Sequence, residues 1–172
     1  MAESPLMRAM ADPAAAWLDN EAERVAAEAE QAIERHGISA RQRLLHRSLL
    51  RHALKPDDTT ASRCGLALRL PLLVAEAVRG EIGADDRRLA SALVVLEAGI
   101  YALDHLMDDE VAGELGHWGT AALVLGGCSL VSHLPQQILA QDGATGPALT
   151  GPLAEGLARM AAGQLEDVEA RL

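Results

Sequence analysis

The sequence predicts an all-α protein, a single helical bundle of about six helices. Three observations carry this. Alanine and leucine dominate long stretches that hold few β-branched residues, a composition that favours helix over strand. Apolar residues recur at spacings of three and four, and no segment alternates apolar with polar as a half-buried strand does. Proline and glycine cluster between the periodic segments, where they punctuate helices. The 172 residues are enough for one domain with a core, and 49% hydrophobic against 23% charged residues marks a globular chain. There is no internal repeat or low-complexity linker, so residues 1–172 read as one domain.

The elements follow in order. A first helix starts at Asp12-Pro13, a cap followed by proline at the first helical position, and runs to His36, where Gly37 stops it. A second covers residues 39–54, with Leu44, Leu45, Leu49 and Leu50 inward and its Arg and His residues on a solvated face. Residues 55–60 form a polar loop. The third helix follows Ser62 and reaches Arg79-Gly80. The fourth begins near Asp85 and continues to about Asp109. After a short turn at residues 111–116, a fifth runs to about Gln141. Residues 143–152, rich in Gly, Pro and Thr, read as a loop, and the last helix runs from there to the chain end.

The formal net charge of −10 opposes binding to nucleic acid or to anionic lipid. The same acidity suits cation binding, and it also serves solubility. Cys64 and Cys128 have neither zinc-ligand nor disulfide-framework spacing, so both are expected to be buried small apolar residues. The N-terminus lacks the features of a signal peptide, and a cytoplasmic location is expected. Residues 115–141 contain no Asp, Glu, Lys or Arg. Pro135, Gln136, Gln137, several glycines, His117 and His133 argue for a core or interfacial helix there, not a transmembrane segment. Trp17 and Trp118 are expected to pack.

The most informative segment is LASALVVLEAGIYALDHLMDDE, residues 89–110. At about 100° per residue, Leu89, Leu93, Leu96, Ile100, Leu103 and Met107 share one side and are expected to form the core stripe. Glu97, Tyr101, Asp104 and Asp108 form a neighbouring stripe, with Asp109 beside it. Like charges one turn apart destabilise a helix. Acidic residues near its C-terminus also oppose the dipole. A divalent cation reverses that balance, because Mg²⁺ takes hard oxygen ligands together with substrate phosphates. A solvated helix end is the alternative reading of Asp108, Asp109 and Glu110. Tyr101 is open to two readings, a cavity-lining residue or a core residue.

At Leu103 to Asp108 the sequence reads LDHLMD, which resembles the first aspartate-rich motif, HDDIMD, of the trans-isoprenyl diphosphate synthases, the polyprenyl synthetase family. Three other segments agree in order and spacing. LPLLVAEAV from Leu70 is similar to the family's RPLLVLLAAEAV helix. WGTAALVLGG from Trp118 is similar to FGEATAILAGD, and GQLED from Gly163 to GQxxD. The resemblance covers residues 63–172. Its nearest likeness is the moenomycin-pathway prenyltransferase group, through Leu68-Arg69-Leu70-Pro71 and the short acidic turn after the motif.

The resemblance implies an isoprenoid synthase-type helical bundle. It implies Mg²⁺ held by Asp104 and Asp108 with Asp109, and an allylic isoprenyl diphosphate as substrate. Asp104 and Asp108 are then the catalytic pair, with Tyr101, His105, Gln164, Asp167 and Arg69 in the substrate site. The reaction implied is ionisation of the allylic diphosphate followed by prenyl transfer, and Gly99 and Ile100 stand where the family sets product length. His105 departs from the motif's second aspartate. Gly65-Leu66-Ala67 replaces the usual Gly-Lys-Arg, and residues 111–116 lack the paired arginines, leaving Arg63 and Arg69 as candidate diphosphate-binding cations. Ending at Leu172, the sequence matches only the N-terminal half of the family domain. A homo- or hetero-oligomer is therefore expected. The alternatives are a non-catalytic subunit of a heteromeric prenyl synthase or a truncated inactive fragment.

Overall fold

The structure is a computed structural model describing residues 13–55, 65–108, 110–111, 113, 115–141 and 145–170, with side chains described at all of these except 13–15, 66, 145, 164 and 167–170. Every regular element among the described residues is helical. In chain order they are α1 (Pro13–His36), α2 (Ala40–Leu54), α3 (Gly65–Arg79) and α4 (Ala84–Met107). A 3₁₀ turn (Leu115–Trp118), α5 (Thr120–Ser132), α6 (Leu134–Leu139) and α7 (Thr145–Ala170) follow.

Local chemistry sets most of the boundaries. The Ser39 hydroxyl accepts the Gln42 N–H at 3.1 Å, and Gln42 Oε1 accepts the Ile38 N–H at 2.9 Å, closing the start of α2. At the start of α4, Asp86 accepts the Gly83 N–H at 2.8 Å and also pairs with Arg79 from the end of α3. Asp85 and Asp86 both lie in the first turn of α4, where the helix dipole favours negative charge.

Helix α4 is the hub, packed against α1, α2, α3, α5 and α6. Its buried face is made of small residues: Ala90, Ser91, Ala92, Val94, Val95, Ala98, Gly99 and Ala102. Small side chains let neighbouring helices approach closely. A Cβ on Gly99 would stand 2.8 Å from the Gly127 carbonyl oxygen and from Leu130 Cβ, so α4 and α5 cross nearly backbone to backbone. The Ser91 hydroxyl of α4 donates to the Val25 carbonyl of α1 at 3.1 Å. Glu21 of α1, almost fully buried, takes Arg87 of α4 at 2.6 Å and Arg24 at 2.9 Å.

Several expectations are corrected here. The stripe Leu89, Leu93, Leu96, Ile100, Leu103 and Met107 is only partly buried, and Met107 is exposed. The buried face of α4 is the small-residue one, because five helices crowd against it. On α2, Leu44 points outward and His46 inward. The fifth helix breaks at His133 into α5 and α6. Pro135, in the first turn of α6, has no N–H for the ladder, and its ring disfavours a continuous helix. Residues 145–152, expected as loop, belong to α7, which carries Pro152 inside it. Cys128 is exposed, as are His117 and His133, while Cys64 lies outside the described residues. By length and composition alone, α4 and the Thr120–Leu139 stretch are apolar enough to cross a membrane; in this fold 44% of each window is buried.

Candidate functional site

The leucine stripe of α4 finds its partner in α7, across a gap. Between the two helices lie two adjoining chambers of about 360 and 580 Å³, which share Ile100 and Met160. The first is walled by Leu89, Leu93 and Leu96 of α4 and by Leu149, Leu153 and Leu157 of α7, with Pro135 and Leu139 of α6 closing one side. The second is walled by Leu103, Asp104 and Met107 of α4, Thr120 and Val124 of α5, and Leu165 of α7. From Leu89 to Asp104 is 15 residues, or about 22 Å along the helix axis. Among the described residues, Asp104 is the only charged one lining either chamber.

The seat of α7 is tight at one end only. Gly146 lies against the Leu139 carbonyl so closely that a Cβ has no room. Beyond it, α7 presents leucines at spacings of four, Leu149, Leu153 and Leu157, to the cleft, and its other face is exposed. Burying that row offsets the helix-breaking cost of Pro152, about 3 kcal/mol.

Of the carboxylates expected to hold a metal, Asp104 stands at one end of this cleft. Asp104 is half-buried on its wall. Asp108 caps α4, its N–H donating to the Asp104 carbonyl at 2.9 Å, and its side chain is exposed. Asp109 lies outside the described residues. Among the described residues, no three of His, Cys, Asp and Glu converge as a complete metal shell. One turn above Asp104, Tyr101 turns toward α2. Its ring centroid is 4.1 Å from that of His105 and 5.7 Å from that of His52. His105 faces the same way, with Nδ1 3.4 Å from a Glu110 oxygen and Nε2 buried without a hydrogen-bond partner among the described residues. Tyr101 and His105 therefore brace the end of α4 against α2, and neither lines the cleft.

Arg69, on α3, pairs with Asp19 of α1 at 2.7 Å and does not line the cleft. Gln164 and Asp167 lie on the backbone of α7, and their side chains are outside what the structure describes. Arg63 is likewise outside. Gly99 faces α5, whereas its neighbour Ile100 lines both chambers. Glu97, two turns before Asp104, is half-buried, and that burial pushes its carboxyl above the usual carboxylate range.

Sequence reasoning missed the α7 wall. Its signal was the Leu149, Leu153 and Leu157 row, obscured by the surrounding Gly and Pro residues. It also missed His46, 2% exposed on α2 with both ring nitrogens unpartnered. No family model, curated protein or solved structure matches the chain.

Proposed function

We propose that the chain is a prenyltransferase-type protein that binds an allylic isoprenyl diphosphate. The prenyl tail lies in the α4–α7 cleft and the diphosphate at its Asp104 end. One observation supports this reading: a long, largely apolar cleft with, among the described residues, a single carboxylate on its wall. That is the outline of an amphiphile with an extended hydrocarbon tail and a charged head. A carboxylate repels a diphosphate directly. The pairing is productive only with a divalent cation between them, and the oxygen donors of Asp104 and Asp108, with Asp109, suit Mg²⁺. When bound, Mg²⁺ supplies charge that offsets the leaving diphosphate. The chain's own part is to hold those carboxylates one turn apart on a rigid helix. Its leucine walls keep water from the allylic centre.

The second reading, a non-catalytic subunit that shapes the tunnel of a partner synthase, is favoured by two observations. Among the described residues neither Arg nor Lys lines the cleft, and Arg69 is engaged by Asp19. Calorimetric titration with a non-hydrolysable allylic diphosphate analogue, with and without Mg²⁺, tests the proposal. Binding that requires Mg²⁺ and is lost in Asp104→Ala/Asp108→Ala supports it. No binding by the folded wild-type chain refutes it. Mg²⁺-dependent binding without diphosphate release from a true substrate identifies the non-catalytic subunit.

A further inference from the structure

A second, polar cavity of about 230 Å³ lies between α1, the first turns of α4 and the end of α6. It shares no lining residue with either chamber of the cleft. Buried Ser91 and Ile138 form its floor, and Glu28, Gln31 and Arg35 of α1 stand across from Arg88 of α4. Glu28, Gln31 and Arg35 are spaced three and four residues apart, so one face of α1 carries them in a row. The row is about 10 Å long. Charge runs along it from negative, through a neutral amide, to positive.

The fold has already used some of these groups and left others. Arg88 is held by Asp85 at 3.1 Å. Ser91 gives its proton to the Val25 carbonyl. Gln141, at the Arg35 end, is engaged with Arg35, His36 and the Gln137 carbonyl. Among the described residues, Glu28 and Gln31 make no side-chain hydrogen bond or ion pair. Arg35 spends one nitrogen on Gln141, meets no carboxylate among the described residues, and keeps further donors. Glu28 is half-buried, and that burial pushes its carboxyl above the usual carboxylate range although Arg87 and Arg88 pull it down. A cation beside it relieves the cost of that burial.

The unused groups select the ligand. A bare divalent ion finds one carboxylate where it needs several hard oxygens. A simple anion is attracted by Arg35 and repelled by Glu28. A dipolar molecule, with an ammonium at one end and a carboxylate at the other, satisfies both. The volume, equal to about eight water-sized groups, keeps that molecule small. We propose that this cavity binds a small α-amino acid with an uncharged polar side chain. Its ammonium donates to Glu28, its carboxylate accepts from Arg35, and the Gln31 amide engages its side chain. The site stands whether or not the cleft holds a prenyl chain.

Titration calorimetry on the full chain with L-asparagine, up to about 20 mM, tests this. Binding is expected with a dissociation constant of about 0.1–1 mM. Succinamate, which lacks the amine, and β-alaninamide, which lacks the carboxylate, each bind at least about tenfold more weakly. Glu28→Gln and Arg35→Gln each weaken L-asparagine at least about tenfold. Glu28→Gln also removes the preference over succinamate, and Arg35→Gln the preference over β-alaninamide. Thermal melting without ligand confirms that both variants fold, since Arg35 is exposed and glutamine keeps the shape of glutamate. A folded wild type that takes up no L-asparagine overturns the proposal. So does binding indifferent to both substitutions. Inorganic phosphate binding more tightly than L-asparagine also overturns it, by showing a plain anion site.

Discussion

Replacing His46 with leucine gives the sharpest test of the core. His46 sits on the inward face of α2, 2% exposed, with neither Nδ1 nor Nε2 hydrogen-bonded. Burial, helped by the nearby His133, holds its pKa down to about 4, against 6.5 for a free imidazole. The unfolded chain therefore takes up a proton that the folded chain refuses between these values. Stability is intact above pH 6.5 and falls as pH drops toward 4. From pH 7 to pH 5 the wild type loses about 2 kcal/mol through this group, and about 3 kcal/mol by pH 4. Leucine at position 46 removes the term. It also removes two unsatisfied polar atoms, so the variant is as stable as wild type at pH 7, or more so. Urea unfolding of both proteins at pH 7, 6 and 5 measures the difference and cancels every other titrating group. Wild-type and variant curves that stay parallel within about 0.5 kcal/mol would show that the imidazole is solvated and the burial argument wrong.

Other outcomes are expected from the same geometry. Gly99→Ala drives a Cβ into the Gly127 carbonyl and Leu130. The strain, about 1–3 kcal/mol, outweighs alanine's helix propensity and lowers the melting temperature by several degrees. Glu21→Ala strips Arg87 of its carboxylate partner at a nearly buried site and costs about 3 kcal/mol in denaturant unfolding. Ile100→Trp fills the junction of the two chambers; titration of a long-chain allylic diphosphate analogue with Mg²⁺ is expected to show at least about a tenfold loss of affinity, with unfolding changed by less than about 1.5 kcal/mol. Cys128, being exposed, reacts with a thiol reagent in the folded Cys64→Ser variant without denaturant.

What could be read from the sequence was local. Pro13, Ser39, Gly80 and the Asp85-Asp86 pair mark helix ends through their own backbone preferences or hydrogen bonds, and those boundaries fall within a few residues of the observed ones. The spacing of Glu97, Tyr101, Asp104 and Asp108 set them on one stripe of α4 by helical geometry alone. What the stripe faces was a different matter. A helix with apolar residues on more than one side has several candidate core faces, and the sequence favoured the larger residues. Five neighbours pack against α4, and only its alanine, valine and glycine face lets them approach. The leucines are thereby left to wall a cleft. The same crowding turned Tyr101 and His105 toward α2 and left Asp104 facing the gap.

The sequence by itself determined the helical class, most helix boundaries and the one-turn spacing of Asp104 and Asp108, since each depends on a few neighbouring residues. The tertiary structure decided which face of α4 is core, that Pro152 stays inside a helix, and that His46 is buried. Each of those depends on how much surface distant helices cover together, a sum no local pattern contains.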